Sequence, residues 1–228
     1  MMKYKSLFID LDDTLWDTYH NNKECLEEVY TAHHFDRYYA SFEAFFEIYW
    51  PHNNLLWEQY RNNEIDRQTL IIERFRYMLR PLGIEDTKSV LAINNDFLQR
   101  TTRLVPGAIE LLEYLRPSYR MYILSNGFRE VQFKKLCNSG LAPYFKRMIL
   151  SEDACIQKPH KEIFDFALKN TNSRRSESLM IGDSWEADII GAHNSKIDQL
   201  WLNPKGLPAK EFIPTYTVGS LEEIKRIL

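Results

Sequence analysis

Three carboxylates, Asp10, Asp12 and Asp13, crowd together in the stretch LFIDLDDTLWD, directly after an apolar run. Acids this close repel one another, so they must be solvated, partly protonated or neutralised by a cation. The plain alternative is a loop of solvated acids, one of which caps the next helix. If the apolar run is a strand, residues two apart at its end point the same way, and Asp10 and Asp12 face one small volume. Such a pair can divide labour, one carboxylate attacking as nucleophile while its neighbour gives and then takes a proton. Asp183, in IGDSWEAD, is a third acid of this kind, and its oxygens add to a hard ligand set suited to Mg²⁺.

Donors and positive charge stand elsewhere in the chain. Ser125 is followed by NGFREVQF. Its hydroxyl and the backbone N–H groups of Asn126 and Gly127 sit at a helix N-terminus, where orphan donors can receive an anion. Lys158, in QKPHKEIF, lies just before a helix opened by Pro159. A nucleophilic carboxylate, a cation, an ammonium and a helix terminus around one point suit phosphoryl transfer, where the protein chiefly positions groups and offsets charge. Each feature alone is ordinary: D-x-D-x-T is short, S-N-G is commonly a turn, and a lysine before proline is commonly solvated. Their order along the chain is what joins them.

The elements that must position these groups follow from the apolar patterning. Residues 5 to 11 read as a short buried strand, and 18 to 102 as a helical block of some four helices. Within it Ile71, Phe75, Met78 and Leu82 recur at helical spacing, Asp66 and Asp86 stand as N-caps, and PLG at 81 to 83 closes a segment. From Leu104 onward, short apolar strands at 121–125, 147–151, 178–183 and 199–203 alternate with helices, which indicates a parallel sheet covered on both faces. The fold class is therefore α/β, a Rossmann-like core formed by residues 1–17 and 103–228, with 18–102 inserted as a helical cap. Ligands of such sheets bind outside the carboxyl ends of the strands. Asp10, Ser125, Ser151 and Asp183 all stand at strand ends and would share one rim.

Bulk properties set limits. The 228 residues are 44% hydrophobic and 27% charged, ordinary for a folded domain, and the net charge of −3 leaves no footprint for nucleic acid. Cys25, Cys137 and Cys155 are widely spaced, without a zinc or dithiol pattern, which fits a reducing compartment. Asp10 interrupts the N-terminal apolar run before a signal-peptide core forms, and no stretch approaches a membrane span. The expectation is a cytoplasmic protein, monomer or homodimer, acting on a small phosphate ester without nucleic-acid or membrane partners.

These motifs resemble those of the haloacid dehalogenase superfamily of phosphohydrolases over essentially the whole chain: DLDDT the first, ILSNG the second, Lys158 the third and GDSWEAD the fourth. The resemblance implies that Asp10 is the nucleophile forming an aspartyl-phosphate and Asp12 the acid/base. It implies that Ser125 and Lys158, with Asn126 and Gly127, bind the transferring phosphate. Mg²⁺ would be held by the Asp10 side chain, the Asp12 backbone carbonyl and Asp183, with Asp188 behind them or reaching the ion through water. Asp12 argues against dehalogenation, because the dehalogenases that this chain resembles lack the second aspartate. The longer stretches SNGFREVQFKKLCNSGL, SEDACIQKPHKEIF, IGDSWEADIIGA and WLNP resemble the noncanonical pyrimidine nucleotidases, 5′-nucleotidases of nucleoside monophosphates. The alternatives are a phosphatase of a small organic or sugar phosphate, a phosphomutase, or a non-catalytic regulatory protein on the same fold.

Other residues carry bland readings beside functional ones. Asp13 supports the turn or, alternatively, is a third ligand, and Thr14 hydrogen-bonds within that turn. His160 is an exposed helix-start residue or, alternatively, touches substrate, and Glu186 is a solvated first-turn acid. Tyr49, Trp50, Trp57 and Tyr60 are core of the helical block or, alternatively, stacking surfaces for a base, and Phe128 stands beside the phosphate loop. A lysine placed for function among acids is expected to cost stability when the site is empty, so loss of Lys158 should leave stability unchanged or higher.

Overall fold

In the computed structural model, which describes residues 3–84, 86–96 and 102–228, the run SLFI forms a fully buried strand, β1 (Ser6–Ile9). Four helices follow: α1 (Thr18–Ala32), α2 (Phe42–Arg61), α3 (Arg67–Leu79) and α4 (Thr87–Asp96). They belong to a unit spanning Tyr19–Thr101, distinct from one formed by Met1–Thr18 and Thr102–Leu228. Residues 97–101, the end of the expected helical block, lie outside the described residues.

The helical unit has its own aromatic core, in which Phe35, Phe42, Phe45, Tyr49 and Phe75 are buried together. Asp66 caps α3 by accepting from the Thr69 N–H at 2.7 Å, and Asp86 accepts from the Ser89 N–H at 2.8 Å. The buried residues of α3 are Leu70, Ile72, Arg74, Phe75, Met78 and Leu79, while Ile71 and Leu82 are only half-buried. The departure of Leu82 from the expected stripe has a local cause. The helix ends at Leu79, where Arg80–Leu82 tightens into a 3₁₀ turn closed by Gly83 at φ 67°.

The other unit resumes with α5 (Ala108–Leu115), β2 (Arg120–Ser125) and α6 (Arg129–Asn138). It continues through β3 (Arg147–Leu150), α7 (Ser151–Ala154), α8 (Lys161–Asn170) and β4 (Ser178–Gly182). A π-turn at Trp185–Ile189 leads into α9 (Ile190–Asn194), then β5 (Asp198–Leu202), β6 (Tyr216–Val218) and α10 (Leu221–Ile224). The six strands are parallel, in the order β3-β2-β1-β4-β5-β6. Strand alternation divides the side chains between two cores. Leu7, Ile9, Met121, Ile123, Leu179 and Ile181 pack with Leu111, Leu112 and Leu115 of α5, whereas Phe8, Tyr122, Leu124 and Met180 pack with Ile163, Phe164 and Ala167 of α8.

Ile9 is level with Ile123 on one side and Ile181 on the other, so β1, β2 and β4 deliver their next residues to the same rim. The chain builds outward from β1 through β2 to β3, then crosses back to lay β4, β5 and β6 on the other side. That reversal is where open parallel sheets bind ligands. Two details depart from the sequence reading. Ser151 opens α7 rather than closing β3, and β6 with α10 adds a final strand and helix that the apolar patterning does not announce. No helix among the described residues is long and apolar enough to cross a membrane.

Candidate active site

Asp10 is the first residue past β1 and is buried, with its main-chain N–H bonded to the Ile181 carbonyl at 2.9 Å. Lys158, 2% exposed, reaches it from the segment before α8. The lysine Nζ donates to Asp10 Oδ1 at 2.6 Å, to Asp188 Oδ1 at 2.6 Å and to the Leu124 carbonyl at 2.7 Å, so all three protons are placed. Asn126 fixes the lysine backbone from β2's end: its Nδ2 donates to the Lys158 carbonyl at 3.0 Å, and its Oδ1 accepts from the Lys158 N–H at 2.8 Å. Burial pushes the Asp10 carboxyl up to about 7, against the pull of Lys158, while the charges of Asp188 and Asp12 add to the rise. Burial acts to lower Lys158, but Asp10 and Asp188 outweigh it and hold the ammonium above its ordinary value.

Asp183 follows β4 on the other flank of β1. Thr14 Oγ1 donates to its Oδ1 at 3.0 Å and accepts its backbone N–H at 3.1 Å, while Trp201 Nε1 holds its carbonyl at 2.9 Å. Among the described residues no lysine or arginine pairs with Asp183. Desolvation, then the charges of Asp10 and Asp188, raises its carboxyl well above the usual range. Asp188 is fully buried, its Oδ2 accepting from the Ser184 N–H at 3.2 Å. Gly182 leaves it room, since a Cβ there would stand 2.2 Å from Asp188 Oδ2. Asp10, Asp183 and Asp188 each offer an oxygen, all within 4.8 Å of one another. A hard-oxygen triad with one acid lacking a cationic partner fits a small divalent ion.

Asp12 is held from a different side. Gln132 Nε2 donates to its Oδ2 at 2.7 Å, and the Lys135 ammonium pairs with its Oδ1. Lys135 also lies 4.0 Å above the Trp16 ring. Ser125, buried at the end of β2, accepts from Gln132 Nε2 at 2.6 Å and from the Gly127 N–H at 3.1 Å. The helix after this loop begins at Arg129 with Phe128 as N-cap, two residues beyond Gly127.

The rim thus gathers Asp10, Asp12, Ser125, Asn126, Gly127, Lys158, Asp183 and Asp188. Sequence reasoning passed over Gln132 and Lys135, whose i, i+3 spacing on α6 is the signal that they share a face. It left Thr14 within its own turn, whereas the hydroxyl crosses to Asp183. Asp13 does support the turn, at φ 58° with its Oδ1 accepting from the Thr18 N–H at 3.0 Å. His160 is the exposed residue at the start of α8, and Glu186 pairs with Lys210 at the surface. Tyr49 is 1% exposed between Phe45 and Phe75, which removes it as a stacking surface. Trp50, Trp57 and Tyr60 are half-buried, Trp50 stacked on Phe46 and Trp57 edge-on to Tyr60.

Comparison with known proteins places the chain in a family. Residues 4–196 match the haloacid dehalogenase-like hydrolase family. The chain is 34% identical to the pyrimidine 5′-nucleotidase YjjG of Escherichia coli, over 100% of this chain and 99% of that protein. It is 33% identical to the pyrimidine 5′-nucleotidase PynA of Streptococcus pneumoniae, over 98% and 94%. The crystal structure of Bacillus subtilis YfnB, bound to magnesium, superimposes with a TM-score of 0.86 at 32% identity, covering 99% of this chain and 98% of that one.

Proposed function

The chain belongs to the haloacid dehalogenase-like hydrolases, and from that premise we propose that it is a Mg²⁺-dependent 5′-nucleotidase of pyrimidine nucleoside monophosphates. The observation that carries the phosphomonoesterase chemistry is the buried Lys158 ammonium, 2.6 Å from both Asp10 and Asp188, beside an Asp183 with no cationic partner among the described residues. The full-length similarity to YjjG and PynA supports the choice of substrate.

In this reading an Asp10 oxygen attacks phosphorus while the bond to the 5′-oxygen breaks, and Asp12 gives that oxygen its proton. Water then attacks the aspartyl-phosphate, Asp12 takes the water's proton, and the Asp10–phosphorus ester bond breaks to release phosphate. The Ser125 hydroxyl donates to a phosphoryl oxygen throughout, and the Lys158 ammonium, whose protons go to Asp10, Asp188 and the Leu124 carbonyl, offsets the phosphoryl charge from beside Asp10. Magnesium bound by Asp10 and Asp183, with the Asp12 carbonyl and Asp188 beside them, would offset the charge on those oxygens.

The test is a hydrolysis panel of nucleoside monophosphates, phosphoglycolate and hexose phosphates, each with Mg²⁺ and with EDTA. Pyrimidine 5′-monophosphates should lead by at least about tenfold in kcat/KM, the scale at which pocket contacts discriminate. EDTA should abolish turnover and Mg²⁺ restore it. A hexose phosphate outrunning every nucleotide would end the nucleotidase reading and leave a sugar phosphatase.

Metal binding should also register without catalysis. The carboxyls of Asp10 (up to about 7) and Asp183 are raised on folding. The folded protein therefore holds protons that the unfolded chain has lost, and metal-free stability should fall as pH rises from about 4 to about 7. A divalent ion competes with those protons. Mg²⁺ should therefore raise Tm clearly at pH 8 and little at pH 5, as read by thermal melts against EDTA. A melting curve indifferent to Mg²⁺ at pH 8 would argue against the acidic triad as its site.

A further inference from the structure

Gln132 is fully buried on α6, and each proton of its side-chain amide has a named destination: Asp12 Oδ2 at 2.7 Å and Ser125 Oγ at 2.6 Å. This orientation of the amide is the one that fits Asp12 as the carboxylate paired with Lys135, the form it has before it takes up the proton it later gives to the leaving group. The amide oxygen is then buried with no hydrogen-bond partner, an arrangement that costs free energy and calls for a reason. The chain makes room for it, since a Cβ on Gly127 would lie 2.4 Å from Gln132 Nε2.

The hydrogen bonds have a polarity. Ser125 Oγ accepts twice, from Gln132 and from the Gly127 N–H at 3.1 Å, which uses both of its lone pairs. Its hydroxyl proton is left as a donor, the role a phosphoryl oxygen requires. Asp12 has Oδ2 on Gln132 and Oδ1 on Lys135, so one helical face fixes its carboxylate plane at two points. We propose that Gln132 is a positioning residue that orients two groups at once: the Asp12 carboxylate toward the leaving-group oxygen and the Ser125 hydroxyl as an obligate donor to phosphate. The proposal rests on the phosphomonoesterase reading above, in which Asp12 is the acid.

General acid catalysis matters most for a poor leaving group, and this separates positioning from mere packing. An alkyl ester such as uridine 5′-monophosphate needs its departing oxygen protonated, whereas p-nitrophenolate leaves unaided. The ratio kcat/KM reports the first bond cleavage, in which only the acid role counts. Gln132→Met keeps the side-chain length and removes both donors. It should lower kcat/KM for uridine 5′-monophosphate by about tenfold or more beyond its loss for p-nitrophenyl phosphate, part of the ~10²–10⁴ that a positioned acid supplies. For the aryl ester kcat should still fall, because water attack on the aspartyl-phosphate needs Asp12 as base. If Gln132→Met does not fold, as judged by its melting temperature, Gln132→Ala carries the same comparison. Equal losses on the two esters would overturn the role toward Asp12, and no loss on either would overturn the role toward Ser125 as well. A parent protein that hydrolyses neither ester would overturn the phosphomonoesterase reading with it.

Discussion

Asp10→Asn is expected to reduce phosphomonoester turnover at least about a thousandfold, the scale of losing an essential covalent participant. The substitution trades a carboxylate oxygen for an amide of the same shape, so Lys158 still finds an acceptor where it now meets Asp10 Oδ1. The fold should survive, and the melting temperature should rise or hold. Burial already pushes this carboxyl up to about 7, so a neutral group there relieves a cost rather than creating one. Asp12→Asn should lose less, about 10²–10⁴, because it removes proton transfer and leaves the nucleophile. Mass spectrometry of rapidly quenched enzyme should find phosphate on the peptide containing Asp10 in the parent and none in the variant. An Asp10→Asn protein with half the parent's activity would refute the nucleophile assignment.

What was legible in the sequence, and what was not, follows from the range of the interactions. The strands before Asp10, Ser125 and Asp183 are short apolar runs ending at a polar residue, a pattern that needs no knowledge of the partner strands. Asp66 and Asp86 were readable as caps because a cap acts over three residues. The ladder of β6 is not readable in that way, since three residues, Tyr216–Val218, are too few to show alternation.

The question of what neutralises the acid cluster has an answer that periodicity could not supply. Lys158 meets Asp10, Lys135 and Gln132 meet Asp12, and the Thr18 N–H meets Asp13. Three of these four donors come from residues more than a hundred positions away, and spacing on α6 says only that Gln132 and Lys135 share a face. Asp188 follows from the family resemblance and not from periodicity, for another reason. It sits in a π-turn, Trp185–Ile189, which widens the helix and rotates the following side chains away from a 3.6-residue period. Within that turn Glu186 goes to the surface and Asp188 is fully buried beside Lys158.

Removing the lysine at the centre should have the second large effect. From sequence alone, Lys158→Ala is expected to leave stability unchanged or higher, because an ammonium among acids reads as a functional expense. The contacts argue the reverse. Lys158 offsets two buried carboxylates and satisfies the Leu124 carbonyl, so its loss strands three acceptors in a desolvated place. Breaking a buried ion pair by deleting one partner costs about 3–5 kcal/mol. Because its pKa is raised above the ordinary value, the ammonium's stabilisation is fully present across the neutral range and is lost only at strongly alkaline pH. Lys158→Met keeps the aliphatic stem and isolates the charge. It should lose at least about a hundredfold in activity, as for removal of one electrostatic donor to a developing anion. Its melting temperature should fall clearly at pH 8. At pH 5 the fall should be smaller, because Asp10, already raised to about 7 beside the lysine, takes up a proton and no longer needs it. Thermal melts of parent and variant at the two pH values, both in EDTA, decide the matter. An equal fall at both would make Lys158 a packing residue whose charge is incidental, and no fall at either would restore the expectation from sequence.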